Sequence, residues 1–261
     1  MLPPPLRPLA ADPSSAAFLV DYDGSLAPIV DDPEAAVVLP AARDALARLA
    51  PRLGRVAVVS GRPVDYLRAH LPIDGIEYVG QYGLERFVAG QVVVDPRVEP
   101  YVEAVARLLD AARGELPDAR VERKGSIAIG LHWRGRPELE ATVTAWAQRA
   151  AADHGLECAA GRMAVELRPP VGMDKGVAVE ELTAGFTAAV FAGDDLGDLP
   201  AFAALERLAA SGRLQHAVRV GVRSPEEPPE VVARADVHVD GPAGLAALLD
   251  DLAREVSVPR A

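Results

Sequence analysis

The chain has 261 residues, half of them hydrophobic, and a formal net charge of −11 at pH 7. This length allows one core and a second, smaller module, and the acidic balance argues against nucleic acid or an anionic membrane as a partner. The single cysteine, Cys158, excludes an intrachain disulfide, and no stretch is long enough to span a bilayer, so we expect a cytoplasmic protein.

The N-terminal half alternates short apolar runs with amphipathic stretches. Residues 1–13 are rich in proline and lack an apolar signal core, which predicts a flexible lead. Within residues 14–85, apolar runs alternate with helix-like segments, and this alternation predicts βαβ units of a parallel sheet. The apolar runs are 17–20, 56–59 and 76–79, and the helical segments are 40–50 and 63–70.

Residues 86–170 differ from the segments on either side and predict an inserted cap of hairpins and two helices. Helical spacing of apolar residues covers 99–113 and 137–154. Strict alternation covers 126–134 and 163–168, so each of these strands has one apolar face and one small or polar face. The apolar faces should pack on the helices. The other faces carry His132, Arg134, Glu166 and Arg168, which either face solvent or form a roof over a ligand; the insertion favours the roof.

The last third, residues 171–255, returns to the alternating pattern and predicts the second half of the core. Helices are expected at 175–182, 199–210 and 243–255, and strands at 188–192, 217–222 and 235–239. The fold class is therefore α/β, a Rossmann-like parallel sheet built from residues 14–85 and 171–255 with an inserted α+β cap.

Two carboxylates directly follow the first predicted strand. Phe18, Leu19 and Val20 form a buried apolar run, and Asp21 and Asp23 come next, before Gly24 breaks the strand. Ligands of open α/β sheets bind at this end of the strands. Two like charges so close repel unless a cation neutralises them or they share protons. A Mg²⁺ site with one carboxylate free to attack phosphorus is one interpretation; a strand followed by a polar turn is the other.

Three further polar motifs follow in a fixed order. They are Ser60-Gly61-Arg62 after an apolar run, Lys175 at the start of a helix, and Gly193-Asp194-Asp195-Leu196-Gly197-Asp198 after another run. With the Asp-x-Asp-Gly of the first strand, this set resembles the haloacid dehalogenase superfamily of phosphohydrolases. Arginine supplies 25 of the 27 basic residues, and Lys124 and Lys175 are the two lysines, which favours a specific role for both.

The resemblance implies a role for each motif. Asp21 would be the nucleophile that forms an aspartyl-phosphate, and Asp23 the general acid and base. Ser60, Gly61 and Arg62 would contact the substrate, and Ser60 and Lys175 would assist the phosphoryl transfer. The implied cofactor is Mg²⁺, held by carboxylates from the two sequence segments of the core: Asp21, Asp23, Asp194, Asp195 and Asp198.

The cap narrows the resemblance to the trehalose-6-phosphate phosphatase family. The carrying segments are Val121 to Arg134, Gly161 to Pro169 and Asp174-Lys175-Gly176. This similarity implies that Glu122, Lys124 and Glu166 bind the hydroxyls of the disaccharide. It implies hydrolysis of trehalose 6-phosphate to trehalose and phosphate, the final step of trehalose biosynthesis. The expected partner is the small-molecule sugar phosphate, and we expect the chain to act as a monomer.

Other functions stay open at this point. One is a capped phosphatase for sucrose-phosphate or a mannosyl compound, and a second is a phosphomutase. A sensor of sugar phosphates without activity is the alternative from another class, but the intact set of Asp21, Asp23, Ser60, Lys175 and Asp194 disfavours it.

Overall fold

A computed structural model describes residues 1–30, 35–161, 163–224 and 228–257. The chain divides into two compact units, the larger formed by Met1–Val93 with Met173–Ala261 and the smaller by Val94–Gly172. Each unit has its own hydrophobic core. The α/β class expected from the alternating pattern is confirmed.

The strands of the described residues form two sheets. In chain order they are β1 (Ala16–Val20), β2 (Arg55–Val59), β3 (Glu77–Gly80), β4 (Glu85–Val88), β5 (Gln91–Val94), β6 (Arg120–Lys124), β7 (Ala128–His132), β8 (Glu157–Gly161), β9 (Ala164–Arg168), β10 (Ala188–Gly193), β11 (His216–Arg223) and β12 (Val237–Asp240). The larger sheet has the order β12-β11-β10-β1-β2-β3-β4-β5, and the smaller has β6-β7-β9-β8.

Helices cover both faces of the larger sheet and one face of the smaller. In chain order they are α1 (Arg7–Ala11), α2 (Pro40–Leu49), α3 (Val64–His70), α4 (Val102–Glu115), α5 (Glu140–His154), α6 (Lys175–Leu182), α7 (Leu199–Ala210), α8 (Pro229–Arg234) and α9 (Gly241–Glu255). Among the described residues, no helix combines the length and apolar character that crossing a membrane requires.

The central strand β1 shows why the larger sheet is buried on both faces. Its residues alternate between two cores: Phe18 and Val20 pack with α2 and α9, and Ala17 and Leu19 pack with α6 and α7. Alternation arises because successive side chains of a strand point to opposite faces. A strand with both faces covered therefore reads as a continuous apolar run.

The expectation of a flexible lead at residues 1–13 is wrong. This segment forms a 3₁₀ turn at Pro4–Leu6 and then α1, and Leu2, Leu6 and Leu9 are buried in the core of the larger unit. These leucines recur at the spacing of one helical face. Burial of that apolar face outweighs the proline-rich composition on which the expectation rested.

The predicted cap begins too early at residue 86. Strands β4 and β5 continue the larger sheet beyond β3, with β4 antiparallel to β3, and the smaller unit starts at Val94. A hairpin pattern indicates two paired strands, but it does not say which sheet they join. The smaller unit also ends later than predicted, at Gly172 rather than residue 170.

The smaller unit is an antiparallel sheet with two helices on one face. The predicted packing is confirmed, because Ile129, Leu131, Val165 and Leu167 are buried in one core with residues of α4 and α5. The strand expected at 126–134 is shorter, Ala128–His132. The opposite face carries the polar side chains of β6, β7 and β9.

Candidate active site

Three polar motifs meet at the carboxyl edge of the larger sheet. Strand β1 pairs in parallel with β2 and β10, with Val20 opposite Val58 and Ala192. The residues that follow these strands are therefore neighbours, and they begin the Asp21, Ser60 and Asp194 motifs. The backbone N–H of Asp21 donates to the carbonyl of Ala192 at 2.9 Å, which fixes the first aspartate beside the end of β10.

A buried lysine joins two of the predicted carboxylates. Nζ of Lys175 donates to Oδ1 of Asp21 at 2.7 Å and to Oδ1 of Asp198 at 2.6 Å. The three residues are between 0% and 4% exposed. Lys175 reaches this position from the first turn of α6, whose N-cap, Asp174, accepts a hydrogen bond from the backbone of Val177.

The cluster is electrostatically strained without a cation. Burial raises the pKa of Asp21 well above its ordinary value and also raises that of Asp198, and nearby Lys175 only partly opposes this. Burial together with repulsion from Asp198 and Asp195 raises the pKa of Asp194 to about 8. Burial opposes the charge of Lys175, but the adjacent Asp198 and Asp21 carboxylates hold the pKa of its ammonium well above its usual range.

The carboxylates of this cluster fit a hard divalent cation. One oxygen from each of Asp21, Asp194 and Asp198 lies within 4.8 Å of the other two. Three buried carboxylates exceed the single positive charge of Lys175, and oxygen atoms are the ligands that Mg²⁺ takes in proteins. A bound cation would supply the missing positive charge and so oppose the rise in pKa that burial, and then repulsion between the carboxylates, causes.

Asp23 and Asp195, also predicted as metal ligands, have other partners. Both carboxylate oxygens of Asp23 accept hydrogen bonds from Arg62. Asp195 caps the 3₁₀ turn Leu196–Asp198, and its Oδ1 accepts from the backbone N–H of Gly197 at 2.8 Å. Oδ2 of Asp198 accepts the backbone N–H groups of Asp194 and Asp195, so this carboxylate also orders the loop.

Two glycines make room for the acidic cluster. Gly24 has a φ of +81°, and a Cβ on it would lie 2.1 Å from Oδ2 of Asp194. A Cβ on Gly193 would lie 2.3 Å from Cγ of Asp198. Ser25, beside Gly24, donates from Oγ to Oδ1 of Asp194 at 3.3 Å. The need for Gly24 becomes evident only in the structure, because Asp194 lies 170 positions further along the chain, whereas Gly193 and Asp198 belong to the same motif.

The Ser60-Gly61-Arg62 loop is tied to the turn after β3. Ser60 is buried, and its Oγ accepts the backbone N–H of Arg62 at 3.2 Å. Its carbonyl accepts the N–H of Tyr82 at 2.9 Å. The Tyr82 ring lies against Gly61, because a Cβ there would come within 2.7 Å of the phenol. Tyr82 itself has a left-handed φ of 58°, a conformation that a non-glycine residue adopts only where its surroundings hold it.

The polar face of the smaller unit gathers four of the residues predicted to bind substrate. Glu122, Gly130 and Glu166 lie opposite one another in adjacent strands. Nζ of Lys124 donates to Oε2 of Glu166 at 2.5 Å, and Nε2 of His132 donates to Oε2 of Glu122 at 2.7 Å.

Gly130 forms the floor of this cluster. A Cβ on it would lie 2.8 Å from Nε2 of His132 and 3.3 Å from Oε2 of Glu122. Glu166 is 7% exposed, and its Oε1 is buried without a hydrogen-bond partner among the described residues. A buried carboxylate oxygen left in this state is costly unless a ligand donates to it.

Two predicted substrate residues lie outside the cluster. Arg134 is exposed in the turn after β7, and Arg168, at the end of β9, donates to Oε1 of Glu157 at 3.2 Å. The alternation had placed Arg134 on the same face as His132, but β7 ends at His132.

Comparison with known proteins agrees with this geometry. The chain is 31% identical over 252 residues to a trehalose-phosphate phosphatase of Mycobacterium tuberculosis, covering 92% of this chain and 62% of that protein. It is 33% identical over 204 residues to an uncharacterized glycosyl hydrolase of the same species, covering 72% of this chain and 15% of that protein. The chain thus spans less than two thirds of the length of these curated relatives.

A solved structure and a family model point the same way. The crystal structure of a trehalose-6-phosphate phosphatase related protein superimposes with a TM-score of 0.77 at 25% identity, covering 91% of this chain and 97% of the other. The model of the trehalose-phosphatase family matches residues 19–237, which include the Asp21, Ser60, Lys175 and Asp194 motifs. The chain therefore belongs to the trehalose-phosphatase family.

Proposed function

We propose that this protein is a Mg²⁺-dependent phosphatase that hydrolyses trehalose 6-phosphate to trehalose and phosphate. The observation that carries the proposal is the buried set of Asp21, Lys175, Asp194 and Asp198 at the carboxyl edge of the sheet, in a chain of the trehalose-phosphatase family. Binding of a small-molecule sugar phosphate is consistent with this residue set and with the family.

The proposed reaction has two steps at Asp21. Its carboxylate oxygen attacks phosphorus, the bond from phosphorus to the sugar oxygen breaks, and Asp23 gives a proton to that oxygen. Water then attacks the aspartyl-phosphate while Asp23 accepts its proton, which returns the Asp21 carboxylate and releases phosphate. Lys175 holds the oxygen of Asp21 in place and provides positive charge beside the transferring group.

Magnesium would be held by Asp21 and Asp194, with Asp198 orienting the loop and contributing negative charge. When bound, the ion would supply positive charge to the phosphoryl oxygens as the transition state forms. Ser60 and the backbone N–H of Gly61 would donate hydrogen bonds to the same group.

The sugar would be recognised by the polar face of the smaller unit. The unpartnered Oε1 of Glu166 can accept from a hydroxyl group, and Lys124 and Glu122 lie beside it. Several charged groups on a rigid sheet suit a disaccharide, whose many hydroxyls need fixed partners. One chain contributes all the residues of this proposal, so we also propose that the active unit is a monomer. A single cysteine suits a reducing compartment, and we propose a cytoplasmic location.

Phosphate release tests the function directly. The protein with Mg²⁺ is expected to release phosphate from trehalose 6-phosphate faster than from glucose 6-phosphate or sucrose 6-phosphate. EDTA is expected to abolish the release and added Mg²⁺ to restore it. Mg²⁺ at about 100 times its Kd should also stabilise the fold by roughly 2.7 kcal/mol, seen as a raised thermal midpoint. A lack of preference for trehalose 6-phosphate over these two esters would contradict the substrate assignment, and turnover unaffected by EDTA would contradict the metal requirement.

Glu166→Ala separates sugar binding from chemistry. Each hydrogen bond to a charged group contributes about 1.5–3 kcal/mol, so kcat/KM for trehalose 6-phosphate is expected to fall roughly 10- to 100-fold. Turnover of p-nitrophenyl phosphate, which lacks the sugar, should change little. Steady-state kinetics on both substrates measure the difference.

Glu103→Ala is the matched control for this prediction. Glu103 lies on α4 of the same unit with its side chain 85% exposed, so its loss should leave both substrates unaffected. Equal losses on both substrates in Glu166→Ala would show that Glu166 supports the fold instead of binding the sugar.

A further inference from the structure

Arg62 uses two donors of its guanidinium group on a single partner. Nε donates to Oδ2 of Asp23 at 2.7 Å, and Nη2 donates to Oδ1 at 2.8 Å. The Arg62 side chain is 9% exposed and that of Asp23 is 35% exposed. This two-point contact fixes both the position and the rotation of the carboxylate. In the proposed function, Asp23 is the residue that transfers the proton.

An aromatic wall holds the guanidinium group in this orientation. Cζ of Arg62 lies 4.4 Å from the ring centroid of Tyr66, a cation–π distance. Tyr66 also stacks on His70, with 4.0 Å between ring centroids, and meets Tyr22 edge-on at 5.8 Å. The hydroxyl groups of Tyr22 and Tyr66 both donate to the carbonyl of Ala36. The wall is thereby anchored to the backbone.

We propose that Arg62 is a positioning residue that acts through Asp23 and is not a ligand of the phosphoryl group, and that the Tyr66 ring fixes Arg62 in this role. The inference rests on the proposed function of Asp23. An ionised carboxylate has about four lone-pair sites, so the two bonds from Arg62 leave sites at which Asp23 can hold the transferred proton. Because the two bonds from Arg62 hold the Asp23 carboxylate in one orientation, Asp23 is already oriented for proton transfer before the substrate reacts.

The kinetic test is a double-mutant cycle of Arg62→Gln and Asp23→Asn. Arg62→Gln is expected to lower kcat for trehalose 6-phosphate about 10- to 100-fold with KM changed by less than about threefold. Added to Asp23→Asn, it should cause no further loss, because its effect passes through the carboxylate. Losses that multiply in the double variant, or a loss confined to KM, would overturn the proposal.

A binding measurement tests the same inference without turnover. Tungstate, a mimic of the phosphoryl group, is titrated into the unmutated protein and into Arg62→Gln. The two Kd values are expected to agree within about twofold, whereas loss of a direct charged contact would weaken binding by roughly tenfold or more. A weakening of that size would assign Arg62 to the substrate. If the unmutated protein does not turn over trehalose 6-phosphate, the proposed substrate fails, and the cycle is then measured with p-nitrophenyl phosphate.

Two variants of Tyr66 and one control complete the design. Tyr66→Leu removes the ring and is expected to lower kcat about 3- to 10-fold, while Tyr66→Phe keeps the ring and should restore most of the activity. Arg68→Gln is the control, since Arg68 lies in α3 with its guanidinium 3.6 Å from the Phe87 ring. An equal loss in Arg68→Gln would mean that general packing rather than Arg62 is affected. An equal loss in Tyr66→Phe and Tyr66→Leu would assign the effect to the hydroxyl that donates to Ala36 rather than to the ring. Either result would overturn the assignment.

Discussion

Replacing Asp21 with Asn is expected to reduce phosphate release from trehalose 6-phosphate at least ~10³-fold. The amide keeps the size of the side chain, and its oxygen can still accept the hydrogen bond that Lys175 donates at 2.7 Å. It lacks the anionic oxygen that attacks phosphorus. Because no aspartyl-phosphate can form, the loss should appear in kcat and should be the same for trehalose 6-phosphate and p-nitrophenyl phosphate.

The same variant should not lose stability in the absence of metal. Burial raises the pKa of Asp21 well above its ordinary value, so its ionised form opposes folding at neutral pH. A group with a raised pKa in the folded state favours folding at low pH, and that contribution is lost as the pH rises. Asn removes this dependence, and the thermal midpoint at pH 7.5 without Mg²⁺ is therefore expected to equal or exceed that of the unmutated protein.

Asp44→Asn is the control for both measurements, because Asp44 lies on α2 with its side chain 64% exposed. This change should affect neither rate nor midpoint. Near-normal turnover in Asp21→Asn would remove Asp21 from the role of nucleophile. A large drop in its midpoint would instead show that the ionised carboxylate stabilises the fold through Lys175.

The buried parts of the larger sheet were predictable because their signal is local. A strand covered on both faces gives a continuous apolar run, as in Phe18, Leu19 and Val20, and polar residues directly after such runs mark the edge where ligands bind. The order of these motifs carried the family resemblance, and that resemblance predicted that Asp21, Ser60 and Asp194 belong to one site. Their strands do pair in parallel, β2 and β10 on either side of β1.

The partner that each side chain selects was not predictable. Arg62 follows Ser60 in a loop expected to bind substrate, yet its guanidinium contacts Asp23, which lies 39 positions earlier. The carboxylate of Asp195 is chemically suited to bind a metal ion, yet it caps the turn that begins at Leu196. Such choices depend on distances between loops that are far apart in sequence, and no periodicity records them.

The smaller unit shows the same division between local and distant information. Alternation predicted which residues of β7 and β9 share a face, because successive side chains of a strand point to opposite sides. The register between strands decides which of them touch. Glu166 lies opposite Gly130 in the adjacent strand. Because Gly130 has no side chain, His132 and Glu122 can occupy the space above its backbone. Arg134 lies in the turn that follows β7 and is not part of this cluster.

Lys175→Met is expected to damage both the chemistry and the fold. Nζ of Lys175 lies 2.7 Å from Asp21 and 2.6 Å from Asp198, in a region where its side chain is 4% exposed. Removing one partner from a buried ionic cluster costs about 3–5 kcal/mol of the free energy of unfolding, since the remaining charges lose their counterion. A chain of this size should show a drop of roughly 10 °C in the metal-free thermal midpoint.

The pH dependence of that drop has a defined sign. Without Lys175, the carboxylates of Asp21 and Asp198 lose the cation that lowers their raised pKa values, so protons bind them more strongly in the folded state. Their destabilisation is then smallest at low pH, where they are protonated, and grows as the pH rises. The difference in midpoint between the two proteins should therefore be larger at pH 8 than at pH 5. Arg207→Met is the control, because its pair with Glu180 is on the surface and contributes little.

Lys175→Arg separates charge from shape at the same position. The guanidinium group keeps the positive charge, but it is a planar fork, larger than the ammonium that contacts Asp21 and Asp198 in a nearly closed space. We expect kcat to fall at least ~100-fold, with a smaller loss of thermal midpoint than in Lys175→Met. Turnover within a few-fold of the unmutated protein would show that any positive charge at the start of α6 is sufficient. In that case the two short hydrogen bonds of Lys175 would contribute to stability and not to the transfer of the phosphoryl group.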